Sequence, residues 1–343
     1  MYDSHYDLLT IIYFNLKKDN PKANKNKLIN DCINIYKNGN VNGGIINLYF
    51  MSKEEMVEEL GITKEECEDV KGMFKNSILG LKNLQDEGVI PKDKKFIFSI
   101  EGCDFIKNPI ELLDLYQMGL RAILPVWNNA NKYGSGNRTS YGLSILGKEF
   151  VKLAISLGIA IDLSHANKQT FNDIMDVIES EIILGKNPIV LASHSNARSI
   201  CDRERNLTDE QIIRLKNVGG YLGIFSNGNF VSKNNESLTK DERRKNFVNM
   251  LSYVVNDLDY PKDKILLATD DMNFNPDTSY HGLETFDIFD LRNQVNETLI
   301  SSFNYETVKM FMVKNFENLY NALNKVNYYD SKSEINFNMF QRK

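Results

Sequence analysis

Three of the four histidines in this 343-residue chain stand in or beside short apolar runs, and two further runs end in carboxylates. Asp3-Ser4-His5-Tyr6-Asp7 opens the chain, and in an extended segment the alternation puts His5 and Asp7 on one side. Ile159 to His165 and Ile189 to Asn196 are two runs of the same shape, carrying His165 and His194 at their ends. Lys95 to Gly102 ends in Glu101, and Ile265 to Asp271 ends in Asp270 and Asp271. Imidazole nitrogens and carboxylate oxygens together suit Zn²⁺, with Mn²⁺, Fe²⁺ or Co²⁺ as substitutes. The set is large enough for two ions about 3.5–4 Å apart, bridged by a carboxylate and a water. Such a water is acidified toward neutral pH and needs no Ser or Cys nucleophile. A carboxylate outside the metal shell could then move protons.

Each signal alone has a bland explanation. Chance supplies D-x-H-x-D often, a strand-end His is more often a hydrogen-bonded structural residue, and Glu101 or Asp270 could cap a helix. The joint pattern outweighs these, because three histidines of four share one predicted rim. His281, in Ser-Tyr-His-Gly, has no strand-end logic and reads as surface.

The elements that must position these groups follow from periodicity. Thr170 to Leu184 reads as an amphipathic helix with Phe171, Ile174, Met175, Ile178 and Ile182 on one face. It joins the His165 and His194 runs into a βαβ unit, which makes those strands parallel and puts both histidines at one sheet edge. Further strands are expected at the N-terminus, Gly43–Met51, Lys95–Gly102, Arg121–Trp127, Gly219–Ser226 and Ile265–Asp271, with Pro125 weakening the fourth. Helices are expected over Pro21–Tyr36 and Leu146–Leu157. Capping boxes place further helix starts at Ser52, Thr63 and Thr208. Ser232 to Arg244 reads as a long polar loop, Phe247 to Leu258 as a helix, and the remainder to about Val326 as helical. Eight strands alternating with helices predict a (β/α)8 barrel in one domain over 1–343, with 327–343 a loose tail. In that architecture the chemistry sits at the C-terminal strand ends.

Composition agrees with a globular α/β chain: 42% of residues are hydrophobic and 25% charged, ample for a core. A net charge of −5 favours neither nucleic acid nor an anionic membrane. No apolar run approaches the roughly 20 residues of a membrane span. No signal-peptide pattern opens the chain. Cys32, Cys67, Cys103 and Cys201 are widely spaced, as free thiols of a cytoplasmic protein would be.

With these motifs placed, the chain resembles the membrane (renal-type) dipeptidase family, the M19 metallopeptidases of the amidohydrolase superfamily. The likeness spans almost the whole chain. It is carried by Asp3–Leu8, Ser99–Gly102, Gly142-Leu143-Ser144, Asp162–His165, Ser193–Arg198, Arg205–Asp209 and Asn315–Tyr320, the last as the family's closing helix. The resemblance implies a distorted barrel with two zinc ions. His5 and Asp7 would hold one, His165 and His194 the other, and Glu101 would bridge them. Asp270 would handle protons, and Arg205 would clamp a dipeptide's C-terminal carboxylate as a planar bidentate donor. It also implies a homodimer. Two departures bear on the substrate. Trp127 stands where animal-type members have a histidine that helps hold the carbonyl oxygen, with Asn128 beside it as a substitute. At strand eight the chain reads Thr269-Asp270-Asp271-Met272-Asn273 where the family has Ser-Asp-Phe-Asp-Gly. A dipeptidase is the leading expectation. The alternatives are hydrolysis of a lactam, lactone or N-acyl amino acid, and a metal-bound protein without turnover.

Overall fold

The computed structural model describes residues 1–17, 20–39, 41–234, 237–270 and 299–325. Asp271, Met272, Asn273, His281 and the tail at 327–343 lie outside them. Among the described residues eight strands follow one another in one sheet. They are β1 (Asp3–Tyr6), β2 (Gly43–Tyr49), β3 (Lys95–Glu101), β4 (Leu120–Leu124), β5 (Ala160–Asp162), β6 (Val190–Ala192), β7 (Tyr221–Phe225) and β8 (Ile265–Ala268). Every neighbouring pair from β1 to β8 is parallel. Helices make the crossovers, as parallel strands require. The sheet curls into a nearly closed (β/α)8 barrel.

Among the described residues no ladder joins β8 to β1, and the seam is closed by the Asp3 side chain with one backbone bond. The Asp3 carboxylate accepts the His5 amide at 3.1 Å and the Thr269 amide at 3.0 Å. It also accepts the Thr269 hydroxyl. The Asp270 amide then donates to the His5 carbonyl at 3.0 Å. One buried aspartate thus ties the first strand to the last.

Inside the barrel, polarity climbs from floor to mouth. Strand alternation puts Ile45, Asn47 and Tyr49 on one face of β2, and Ile97, Ser99 and Glu101 on one face of β3. The floor is an apolar cluster of Ile45, Ile97, Ala160, Leu191 and Leu266, packed on Phe316, Leu319 and Leu323 of the helix Asn315–Lys325. Tyr2 stacks on Phe316 at 4.3 Å. Each such fully buried Leu, Ile or Phe contributes roughly 1.5–3 kcal/mol by leaving water. A larger apolar cluster fills the space between strands and outer helices.

Most expected elements are present. The capping boxes at Ser52, Thr63 and Thr208 form in full. β4 ends at Leu124, so Pro125 follows the strand and removes no ladder donor. The run from Ser232 to Arg244 needs correction. A helix begins at Lys240 and runs to Ser252, opened by a capping box between Thr239 and Glu242. The long charged stretch masked that signal. Ile182 is also misplaced, being 40% exposed near the end of the helix Lys168–Ile183, while Phe171, Ile174, Met175 and Ile178 are buried as expected. All four cysteines are buried and unpaired.

Replacing Asp3 with Ala leaves two buried amides and a hydroxyl without their acceptor. The expected loss is roughly 3 kcal/mol, read as a lower urea midpoint at unchanged slope. Thr269→Val removes only the hydroxyl and should cost about 1 kcal/mol.

Candidate metal centre

The barrel mouth gathers the predicted ligands. His5 lies within β1 and Glu101 is the last residue of β3. β5 and β6 are only three residues long and stop short of their histidines, so His165 and His194 sit on the turns that follow. His165 holds the left-handed backbone at φ 67°, as does Asp270 at φ 58°. Non-glycine residues enter that region at a cost of order 1–3 kcal/mol, and it concentrates at functional sites. Asp7 occupies the N-cap position of the helix Leu8–Leu16, yet its carboxylate makes no capping bond there.

Glu101 is the hub. Oε2 lies 3.0 Å from His5 Nε2, and Oε1 lies 3.0 Å from His165 Nε2 and 3.9 Å from His194 Nε2. His165 Nε2 and His194 Nε2 are 3.0 Å apart. His5 and His194 stack, with ring centroids 3.5 Å apart and planes 27° apart. One donor atom each from His5, Glu101 and His194 lies within 4.8 Å of the others. Asp270 Oδ1 stands 3.8 Å from His5 Nε2.

Burial and charge set the protonation. Burial alone would lower His5, but Glu101, Asp270 and Asp7 outweigh it and raise the ring to about 9. Burial, with Arg205 nearby, pushes His165 down to about 3. Burial and the neighbouring His5, Arg205 and His165 push His194 well below its ordinary value. Burial alone would raise Glu101. The charge of His5 and its hydrogen bond overcome it and hold the carboxyl well below the usual range.

These states test whether the residues fit a cation. His165 Nδ1 donates to Asn128 Oδ1 at 2.9 Å. A neutral imidazole carries one proton, so His165 Nε2 bears a lone pair. That lone pair faces the ionised Glu101 oxygen at 3.0 Å. His165 Nε2 is also 3.0 Å from His194 Nε2, so ring nitrogens and both Glu101 oxygens converge on one buried point. The donor set is the imidazole-and-carboxylate set of divalent transition metals. The residues present fit metal ions.

The remaining predicted residues surround this group. Asn128 holds His165 through Oδ1, a supporting contact not foreseeable before the fold is known. Trp127 lies against His165, ring centroids 6.1 Å apart, and edge-on to Tyr49 at 5.2 Å. Arg205 is buried and anchored: Nη1 donates to Ser195 Oγ at 3.2 Å and Nη2 to the His194 carbonyl at 2.9 Å. Burial lowers its guanidinium to about 10, against the pull of Asp270, Glu101 and Asp162. Sequence reasoning missed Ser193, whose hydroxyl lies 3.0 Å from His5 Nδ1 and 2.8 Å from His194 Nδ1. The triplet Asp162, Ser193 and His194 sits within the two runs already singled out, so the signal was adjacency alone.

A (β/α)8 barrel with buried histidines and a carboxylate converging at its mouth defines a metal-dependent barrel protein. The chain belongs to the membrane dipeptidase family, peptidase family M19, whose model matches residues 1–318. Among curated relatives, a protein from the PQQ-III 3′ region of Acinetobacter calcoaceticus is 24% identical over 223 residues, covering 62% of this chain and 66% of the relative. A protein from the pqqA 5′ region of Klebsiella pneumoniae is 30% identical over 168 residues, covering 47% and 58%. The chain therefore matches less than two thirds of either relative's length. A metallopeptidase from Rhodobacter sphaeroides, solved with a phosphinate mimic of L-Ala-D-Ala, superposes with a TM-score of 0.66 at 18% identity, covering 94% of this chain and 97% of that one. That likeness shows the fold.

Elemental analysis should find bound divalent metal in the wild type and a lower content in Glu101→Ala and His165→Ala. Asn128→Ala should weaken zinc binding by about 10–100-fold in a chelator competition, because it frees the His165 ring. Unchanged metal content in all three would make these residues structural.

Proposed function

We propose that this chain is a dipeptidase that works with two zinc ions. The carrying observation is the convergence of His5, His165 and His194 on the buried Glu101 carboxylate, with nitrogen–oxygen distances of 3.0, 3.0 and 3.9 Å. Family membership supports the reaction class, and the phosphinate complex of the Rhodobacter enzyme points to a small dipeptide as substrate. His5 and Asp7 would hold one ion, His165 and His194 the other, with Glu101 between them. Ions bound there would polarise the scissile carbonyl and make a water acidic enough to attack near neutral pH.

The chain's own residues supply the rest. Asp270 is partly open to solvent, its side chain 23% exposed, and stands beside His5. It takes the proton of the attacking water and passes it to the leaving amine. Arg205 stays charged at neutral pH and orients the substrate carboxylate with its remaining N–H donors. Its two anchors fix the fork before substrate arrives, which lowers the ordering cost of binding. Trp127 and Tyr49 form an apolar wall that excludes water beside His165.

A second reading rests on that wall. Trp127 offers one N–H and no positive charge to a carbonyl oxygen. Trp127 at that position is the feature that favours a lactam, a lactone or an N-acyl amino acid as substrate.

Purified protein loaded with zinc should hydrolyse members of a broad dipeptide panel and lose that activity in a chelator. Arg205→Lys should raise KM for dipeptides more than it lowers kcat, because the planar fork is lost while the charge stays. Asp270→Asn should lower kcat by about 10²–10⁴-fold with metal retained. Activity on blocked or cyclic substrates with none on dipeptides would select the second reading.

A further inference from the structure

We propose that the Ser193 hydroxyl is a shared positioning group that fixes the Nδ1–H tautomer of both His5 and His194, and so couples the two halves of the metal centre from behind. The inference rests on the metal reading above. Ser193 is fully buried directly beneath the two stacked imidazoles. Its Oγ is 3.0 Å from one Nδ1 and 2.8 Å from the other. A hydroxyl has two lone pairs and one proton, so it can accept from both rings at once. Neither ring then needs the hydroxyl's own proton. With both Nδ1 atoms donating backward, Nε2 is the atom of each ring that faces Glu101.

The hydroxyl is itself held. The Ser193 amide donates to Asp162 Oδ1 at 3.0 Å, and the Ser193 carbonyl accepts the Ser4 hydroxyl at 2.7 Å. Gly223 lets that backbone approach, because a Cβ there would stand 1.7 Å from the Ser193 carbonyl oxygen. The other candidate partner of His5 is Asn47. Its Nδ2 lies 3.2 Å from Nδ1 and 3.3 Å from Nε2. A contact shared almost equally by both ring nitrogens does not choose between them. His165 is governed separately, by Asn128. Glu101 joins His5 to His165 at the front, and Ser193 joins His5 to His194 at the back.

The test uses the full chain, without metal and then with zinc alone. Histidine-selective ¹⁵N spectra, assigned from single histidine substitutions, read which ring nitrogen carries a proton. In metal-free wild type, His194 and His165 should be Nδ1–H, and His5 should keep its Nδ1–H. Ser193→Ala should expose the Nδ1–H of His5 and His194 to rapid solvent exchange and leave that of His165 unchanged. Asn128→Ala should do the reverse, a pattern that general loosening would not produce. In zinc titrations Ser193→Ala should weaken both binding steps by about 10–100-fold, and Asn128→Ala mainly one. An Nε2–H tautomer on His194 in the wild type would overturn the proposal, as would an effect of Ser193→Ala confined to one ring or one step. If Ser193→Ala does not fold, the wild-type spectrum decides. If the wild type binds no zinc yet shows the expected Nδ1–H pattern, the metal reading fails and the anchoring role stands.

Discussion

The mouth of this barrel depends on the ionised Glu101 carboxylate facing three imidazoles in a buried space. A carboxylate without water is costly, and only the charge and hydrogen bonds of its neighbours keep it ionised. The neighbours divide unevenly. His5 is drawn toward the protonated form, while His165 and His194 are driven to neutrality. Three rings of one residue type thus enter the site in different states. The difference comes from Asp270, Arg205 and burial, all set by which strand end carries which group.

Much of this was legible in the sequence, for physical reasons. A strand inside a barrel must alternate, so Ile97, Ser99 and Glu101 announce both the strand and its polar end. A capping box is a local two-bond device, so Ser52, Thr63 and Thr208 mark helix starts without tertiary context. The same device at Thr239 and Glu242 was hidden by a charged run that looks like loop. The supporting contacts were not legible. Asn128 and His165 are 37 positions apart, and Ser193 and His5 are 188 apart. Only the closed barrel brings them together. The seam residue Asp3 was visible as part of a motif, but its task belongs to Thr269 at the other end of the chain.

The short strands β5 and β6 shape the mouth. Each has three residues, fewer than β2 or β3 with seven. Their early end frees the backbone to turn, and His165 enters the left-handed region there. Longer strands would carry the two histidines straight up the wall with alternating direction. The turn brings them inward instead, Nε2 to Nε2. Asp162 and Ser164 stabilise the turn, through the Ser164 amide on Asp162 Oδ1 at 3.0 Å and the His194 amide on Ser164 Oγ at 3.2 Å.

The floor of the barrel has a consequence of its own. Tyr2, Leu191 and Leu266 meet Phe316, Leu319 and Leu323 there in one dry layer, and the helix Asn315–Lys325 lies across the strand starts. The barrel is therefore a blind well and not a tunnel. If the mouth splits a peptide as proposed, neither half could pass through to the far side, and both would leave by the way the whole came in. Such a one-door chamber would suit short substrates, whose fragments are small enough to turn around in it.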